Sequence, residues 1–78
     1  MRFAVVTRDA CSWCLKVKDE LRKYSGIMVF EYNLHSHPDL LDFIKAAGFK
    51  TVPIVFHEGQ LIGGYEQTVE YLKEIFGE

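Results

Sequence analysis

Cys11 and Cys14 are the only cysteines of the chain, and two residues separate them in the run Cys11-Ser12-Trp13-Cys14. An apolar stretch, Phe3-Ala4-Val5-Val6, comes shortly before, and a helix-patterned stretch follows directly, so the pair sits at a strand-to-helix junction. A thiol at the start of a helix faces backbone N–H groups that lack intrahelical partners, and the positive end of the helix dipole. Both favour thiolate over thiol. The second thiol, one turn further in, can close a disulfide on the first, which is chemistry that makes and breaks S–S bonds. The same spacing also serves as half of a four-ligand zinc site, with His35, His37 and His57 as candidates for the remaining two donors. The chain has no second Cys-x-x-Cys and no ligand-spaced histidine pair, so a redox pair is expected and a metal site is not.

The rest of the composition sets the context for that pair. The 78 residues correspond to one domain, residues 1–78, close to the lower size limit for an independent core. A hydrophobic content of 49% supplies the apolar side chains such a core needs, and a monomer that folds without a partner is expected. The formal charge is −2 and no stretch is strongly basic, which argues against nucleic acid as a partner. The N-terminal apolar run meets charge again at Arg8 and Asp9, too soon for a signal-peptide core or a membrane span. A cytoplasmic protein without membrane association is the expectation. There a lone close pair of cysteines points to catalysis more than to a structural staple.

Positioning the cysteines falls to a simple succession of elements. Phe3 to Thr7 is β-rich without polar alternation, which suits a central strand covered on both faces. A helix is expected from Ser12 to Tyr24, with Cys14, Val17, Leu21 and Tyr24 on one side and Lys16, Lys18, Glu20, Arg22 and Lys23 on the other, closed by Gly26. Ile27 to Asn33 reads as a second strand, and the βαβ unit makes the two parallel. Ser36 and Asp39 have capping-box spacing ahead of a helix from Pro38 to Ala47, which would bury some of Leu40, Leu41, Phe43, Ile44 and Ala47 before Gly48 stops it. Ile54–His57 and Gln60–Gly63 flank the two-residue turn Glu58-Gly59 and read as an antiparallel hairpin. A final helix is expected from Gln67 to Phe76, with Val69, Leu72, Ile75 and Phe76 as its apolar stripe. Phe30, Tyr32, Phe43, Phe49, Phe56, Tyr71 and Phe76 are expected in the core or at its edge.

The order β-α-β-α-β-β-α, with Cys-x-x-Cys at its first strand-to-helix junction, resembles the thioredoxin superfamily and, within it, the glutaredoxins. Three separated motifs carry the resemblance: Arg8-Asp9-Ala10-Cys11-Ser12-Trp13-Cys14, Thr51-Val52-Pro53, and Ile62-Gly63-Gly64-Tyr65-Glu66-Gln67. Their size and wording look most like the short dithiol glutaredoxins of some phages. The resemblance implies an α/β thioredoxin-like fold, a four-stranded mixed sheet flanked by three helices. It implies a thiol-disulfide oxidoreductase with Cys11 as nucleophile and Cys14 as resolving thiol, with glutathione as co-substrate and no permanently bound cofactor. Disulfide-bearing proteins, ribonucleotide reductase among them, are the implied partners. It further implies a cis peptide bond before Pro53 and a glutathione groove built from Arg8, Trp13, Lys50, Thr51, Val52, Pro53, Gly63, Gly64, Tyr65, Glu66 and Gln67. In that groove the Val52 backbone would pair with the cysteinyl unit, Lys50 would meet a carboxylate, and the Gly63-Gly64 turn would offer N–H groups to another.

Two departures from the family pattern leave alternatives open. Ser12 stands where many dithiol glutaredoxins have Pro, as in relatives that hold an iron–sulfur cluster between subunits. Glu66 and Gln67 stand where many cellular members have Thr or Ser and then Asp, which bears on glutathione affinity. A thioredoxin-like donor recharged by a flavoprotein reductase is the other rival, although the thioredoxin wording around the cysteines is absent and Val5 lies near the position of its buried acid.

Overall fold

The architecture, taken from a computed structural model that describes residues 1–77, follows from alternation along one strand. In β1 (Arg2–Thr7), Phe3, Val5 and Thr7 point to one face while Ala4 and Val6 point to the other. Helix α1 (Ser12–Arg22) crosses back so that β2 (Met28–Asn33) pairs parallel with β1. Then follow α2 (Pro38–Ala46), β3 (Ile54–His57), β4 (Gln60–Gly63) and α3 (Tyr65–Phe76). The sheet order is β2-β1-β3-β4, with β3 antiparallel to both β1 and β4. This is the expected thioredoxin-like arrangement.

Each face of the sheet has its own apolar cluster. Phe3, Val5 and Val55 pack against Val17 and Leu21 of α1 and Leu72 of α3, all at 1% exposure or less. On the opposite face Val6 and Ile54 meet Ile44 of α2, with Leu34, Leu40, Phe49, Val52 and Phe56 partly buried around them. Burying one such side chain stabilises the fold by about 2 kcal/mol, so the two clusters rather than helix propensity decide where the helices lie.

Several boundaries differ from expectation, each for a local reason. Helix α1 ends at Arg22, because the Lys23 N–H turns back to the Glu20 and Leu21 carbonyls; Tyr24 lies beyond it. Gly26, with φ +87°, shapes the following turn instead of capping the helix, and Ile27 precedes β2. The Ser36–Asp39 capping box does not form: His37 is the N-cap of α2 with no side-chain bond, and the Ser36 N–H donates to the Asn33 carbonyl. Helix α3 begins at Tyr65, two residues early, and buries Thr68 and Leu72, leaving Ile75 and Phe76 at its exposed end. Thr68 is held by its hydroxyl, which donates to the Gly64 carbonyl at 2.8 Å.

The aromatic residues are divided between interior and surface. Phe49, Phe56 and Tyr71 are partly buried as expected, whereas Phe30, Tyr32, Phe43 and Phe76 are exposed, Phe43 to 63%. A single helix is about 10 Å across, while four strands span roughly 14 Å. One nine-residue α2 therefore covers only part of its face and leaves the outer side of β2 open. Lys18, expected on the solvated side of α1, is instead mostly covered, its side chain 13% exposed beside Glu31.

Candidate functional site

Cys11 is the N-cap of α1, with extended backbone angles that let its sulfur turn back over the first helical turn. Its Sγ accepts the Cys14 N–H at 3.2 Å, so one of the free N–H groups of the helix start points at this sulfur, an arrangement that favours a thiolate there. The two cysteines are joined as a disulfide with Cα atoms 5.3 Å apart. Cys11 is half-buried and Cys14 is buried at 2% exposure, which makes Cys11 the sulfur a substrate reaches first. Ala10, immediately before it, adopts a left-handed conformation at φ +55° that turns the chain from β1 into α1. Asp9 points outward, accepting from Asn33 Nδ2 at 3.0 Å, with His35 Nε2 3.8 Å away.

The second motif meets the first in space. The Val52–Pro53 bond is cis, and the Val52 carbonyl oxygen lies 3.9 Å from Cys11 Sγ. In the disulfide this is a contact; in the dithiol form a Cys11 thiol can donate to that oxygen. The third motif supplies the far wall. Gly63, at φ +131°, has no room for a side chain, since a Cβ there would come within 2.9 Å of Gln67 Cβ. The Gln67 side-chain oxygen accepts the Gly64 N–H at 3.1 Å. Gln67 thus caps its own helix and occupies one of the N–H groups expected to receive a carboxylate.

Between these segments lies a groove of 690 Å³, within the usual range for small-molecule sites. Its lining brings together Arg8, Trp13, Lys50, Thr51, Val52, Pro53, Gly64, Tyr65, Glu66 and Gln67, ten of the residues singled out in the sequence; Gly63 shapes the turn from behind. Trp13 is half exposed at the rim, its ring 5.3 Å from Tyr65, with the Lys16 ammonium 4.2 Å from its centroid. Five lining residues were not anticipated: Leu34, Leu41, Ile44, Lys45 and Phe49. They form an apolar floor with a further cation at its edge. For Leu41 and Ile44 the signal is the apolar pattern of α2, which reads equally well as core; Leu34 and Phe49 lie in the segments flanking that helix. Arg8, Lys45 and Lys50 against Glu66 make the groove positive within a chain of net charge −2.

Behind the cysteines, the Thr7 hydroxyl donates to Glu31 at 2.7 Å and Lys18 pairs with the same carboxylate at 3.0 Å. The Thr7 bond, then the Lys18 bond, hold the Glu31 carboxyl below its usual range. His57 is engaged elsewhere, stacked on Phe3 and bonded to the Tyr71 hydroxyl at 2.6 Å. Among the described residues no three His, Cys, Asp or Glu side chains converge as a metal site. Nor is any helix of those residues long and apolar enough to cross a membrane.

Comparison with known proteins agrees with this geometry. The sequence model of the glutaredoxin family matches residues 3–62. Reduced Escherichia coli glutaredoxin is 26% identical over 100% of both chains, with a TM-score of 0.81. A buckwheat glutaredoxin, solved as a complex with glutathione, is 26% identical over 96% of this chain and 69% of its own, at 0.73. The E. coli glutaredoxin-like NrdH-redoxin shares the fold, with a TM-score of 0.77 at 23% identity over 92% of this chain and 95% of that one. No curated protein sequence matches. The paired cysteines, the groove and the family match converge: the chain belongs to the glutaredoxin family and is a thiol-disulfide oxidoreductase.

Proposed function

We propose that this enzyme reduces protein disulfides and glutathione mixed disulfides at the expense of glutathione, in the cytoplasm. The observation that carries the reading is the meeting of the Cys11 sulfur, at a helix N-terminus, with the carbonyl of Val52, a residue that lines a positive groove. Cys11 thiolate attacks a substrate disulfide, forming a mixed disulfide and expelling the first substrate sulfur as a thiolate. Cys14, deprotonated, attacks the Cys11 sulfur; the Cys11–Cys14 bond forms, the Cys11–substrate bond breaks, and the second substrate sulfur leaves with the electron pair. The two cysteines have then given up two electrons. Two glutathione molecules restore them and leave as oxidised glutathione.

In the groove, a glutathionyl unit on Cys11 pairs its backbone with Val52, beside Thr51 and Pro53. Its carboxylates face Lys50 and Arg8 at one end, and the Gly64-Tyr65-Glu66 helix start at the other. Trp13 and Tyr65 wall its side. Ribonucleotide reductase, whose turnover consumes two thiols, is the proposed protein acceptor. One observation favours a second reading, in which a flavoprotein reductase and not glutathione recharges the protein: Gln67 already occupies the Gly64 N–H, which weakens the anion site.

The deciding experiment is a coupled assay with glutathione reductase, run beside one with thioredoxin reductase, on wild type, Cys11→Ser and Cys14→Ser. Glutathione-coupled turnover that Cys11→Ser abolishes and Cys14→Ser spares supports the first reading. Turnover with thioredoxin reductase alone replaces it with the second.

A further inference from the structure

A second cavity, of 440 Å³, shares only Arg8 with the groove and is lined by both cysteines. Its charged lining comes from three elements: Arg8 and Asp9 before α1, Lys18 on α1, and Glu31 on β2. Asp9 is drawn aside by Asn33, and Arg22 adds a weaker positive influence on Glu31 from one turn beyond Lys18. Cys14 and Lys18 are one turn apart on α1, and helical side chains lean toward the N-terminus, so the Lys18 stem runs toward the turn that carries Cys14 while its ammonium pairs with Glu31. Cys11, Cys14 and both members of the Lys18–Glu31 pair line the same cavity. At 2% exposure, a Cys14 thiolate would receive little stabilisation from water, so nearby fixed charges weigh heavily on its ionisation.

We infer that the Lys18–Glu31 ion pair is a positioning device that sets the acidity of the Cys14 thiol. The inference rests on Cys14 as the resolving thiol. During resolution the Cys14 thiol releases its proton to solvent in this cavity, and the resulting thiolate attacks Cys11 Sγ. As the Cys11–Cys14 bond forms, the bond from Cys11 to the substrate breaks, and the substrate sulfur departs as a thiolate that takes a proton from water. The Lys18 ammonium favours the Cys14 thiolate. The Glu31 carboxylate, anchored by Thr7 and accepting from the same ammonium, opposes it. Neutralising either partner therefore moves the thiol in opposite directions, which a merely structural ion pair would not do.

The test is the pH titration of thiolate ultraviolet absorbance for Cys14 in a Cys11→Ser background, together with the rate of mixed-disulfide resolution in the dithiol protein. Lys18→Met is expected to raise the Cys14 midpoint by about one pH unit and slow resolution at neutral pH about tenfold. Glu31→Gln is expected to lower the midpoint by a similar amount, and Lys18→Arg to restore it. Midpoints that stay put, or that move the same way in Lys18→Met and Glu31→Gln, overturn the inference. The Cys14→Ser control separates its failure from that of the underlying reading. If that variant still reduces a protein disulfide at the wild-type rate, the resolving role itself falls; if it does not, unmoved midpoints refute the ion pair alone.

Discussion

On one face of the sheet, α1 and α3 close over Phe3, Val5 and Val55 so completely that Val17, Leu21 and Leu72 keep 1% exposure or less. On the other, α2 shields Val6 and Ile54 with a single fully buried side chain of its own, Ile44, and leaves Phe30, Tyr32 and Phe43 in solvent. Cys11 is mounted on the closed face, as the N-cap of α1. The groove floor belongs to the open one. Cys11 is thereby fixed by a close-packed scaffold, while the groove rests in part on a short helix with few buried anchors. Sulfur chemistry needs the first arrangement, because attack on a disulfide is sensitive to the placement of the thiolate. Accepting substrates of varied shape is served by the second.

The contrast breaks first on truncation of the closed face. Leu21→Ala or Leu72→Ala should cost about 3 kcal/mol, a fall of roughly 15 °C in melting temperature by calorimetry. Ile44→Ala should cost less, about 2 kcal/mol, because its open surroundings can relax. It should also raise the KM for a glutathione mixed disulfide while leaving the Cys11 thiolate titration unchanged. Equal losses for Leu21→Ala and Ile44→Ala would mean the two faces are equally tight. At the edge of the closed face, Thr7→Val should cost about 1 kcal/mol near neutral pH by removing a buried donor to a carboxylate. Because the Glu31 carboxyl is held below its ordinary value, its contribution is complete above about pH 4.5 and is lost as pH falls through the lowered value. Chemical denaturation of wild type between neutral and acid pH should show that loss, and Thr7→Val should show less of it. Ala10→Gly should stabilise by about 0.5 kcal/mol, since relief of the left-handed backbone slightly outweighs the added freedom of the unfolded chain. The smallest effect expected is that of Phe43→Ser, within about 0.5 kcal/mol.

Much of this was legible from residue order. Element succession, the hairpin at Glu58-Gly59 and the three motifs of the site depend on short-range chemistry that a sequence displays directly: turn residues, strand alternation, cysteine spacing. What escaped was decided by shape at longer range. Phe30 and Tyr32 carry the composition of core residues, and only the width of the sheet against one short helix shows that they stay outside. Leu41, Ile44 and Phe49 were visible as apolar positions, yet nothing local distinguishes a hydrophobic floor from a hydrophobic core. Lys18 looked like any solvated lysine of an amphipathic helix until β2 brought Glu31 alongside it. Gln67 reads from the sequence as a groove residue, and in the structure it lines the groove and also accepts from the Gly64 N–H three residues earlier.

The chain has one tryptophan, and it stands at the groove rim with a cation on one side and a phenol on the other. An indole so placed is a built-in optical reporter. Its emission should respond both to opening of the adjacent disulfide, a known quencher, and to displacement of Lys16 or Tyr65 by an entering peptide. Redox state and occupancy can thus be followed separately in the unlabelled protein, by comparing wild type with Cys14→Ser as substrate is added.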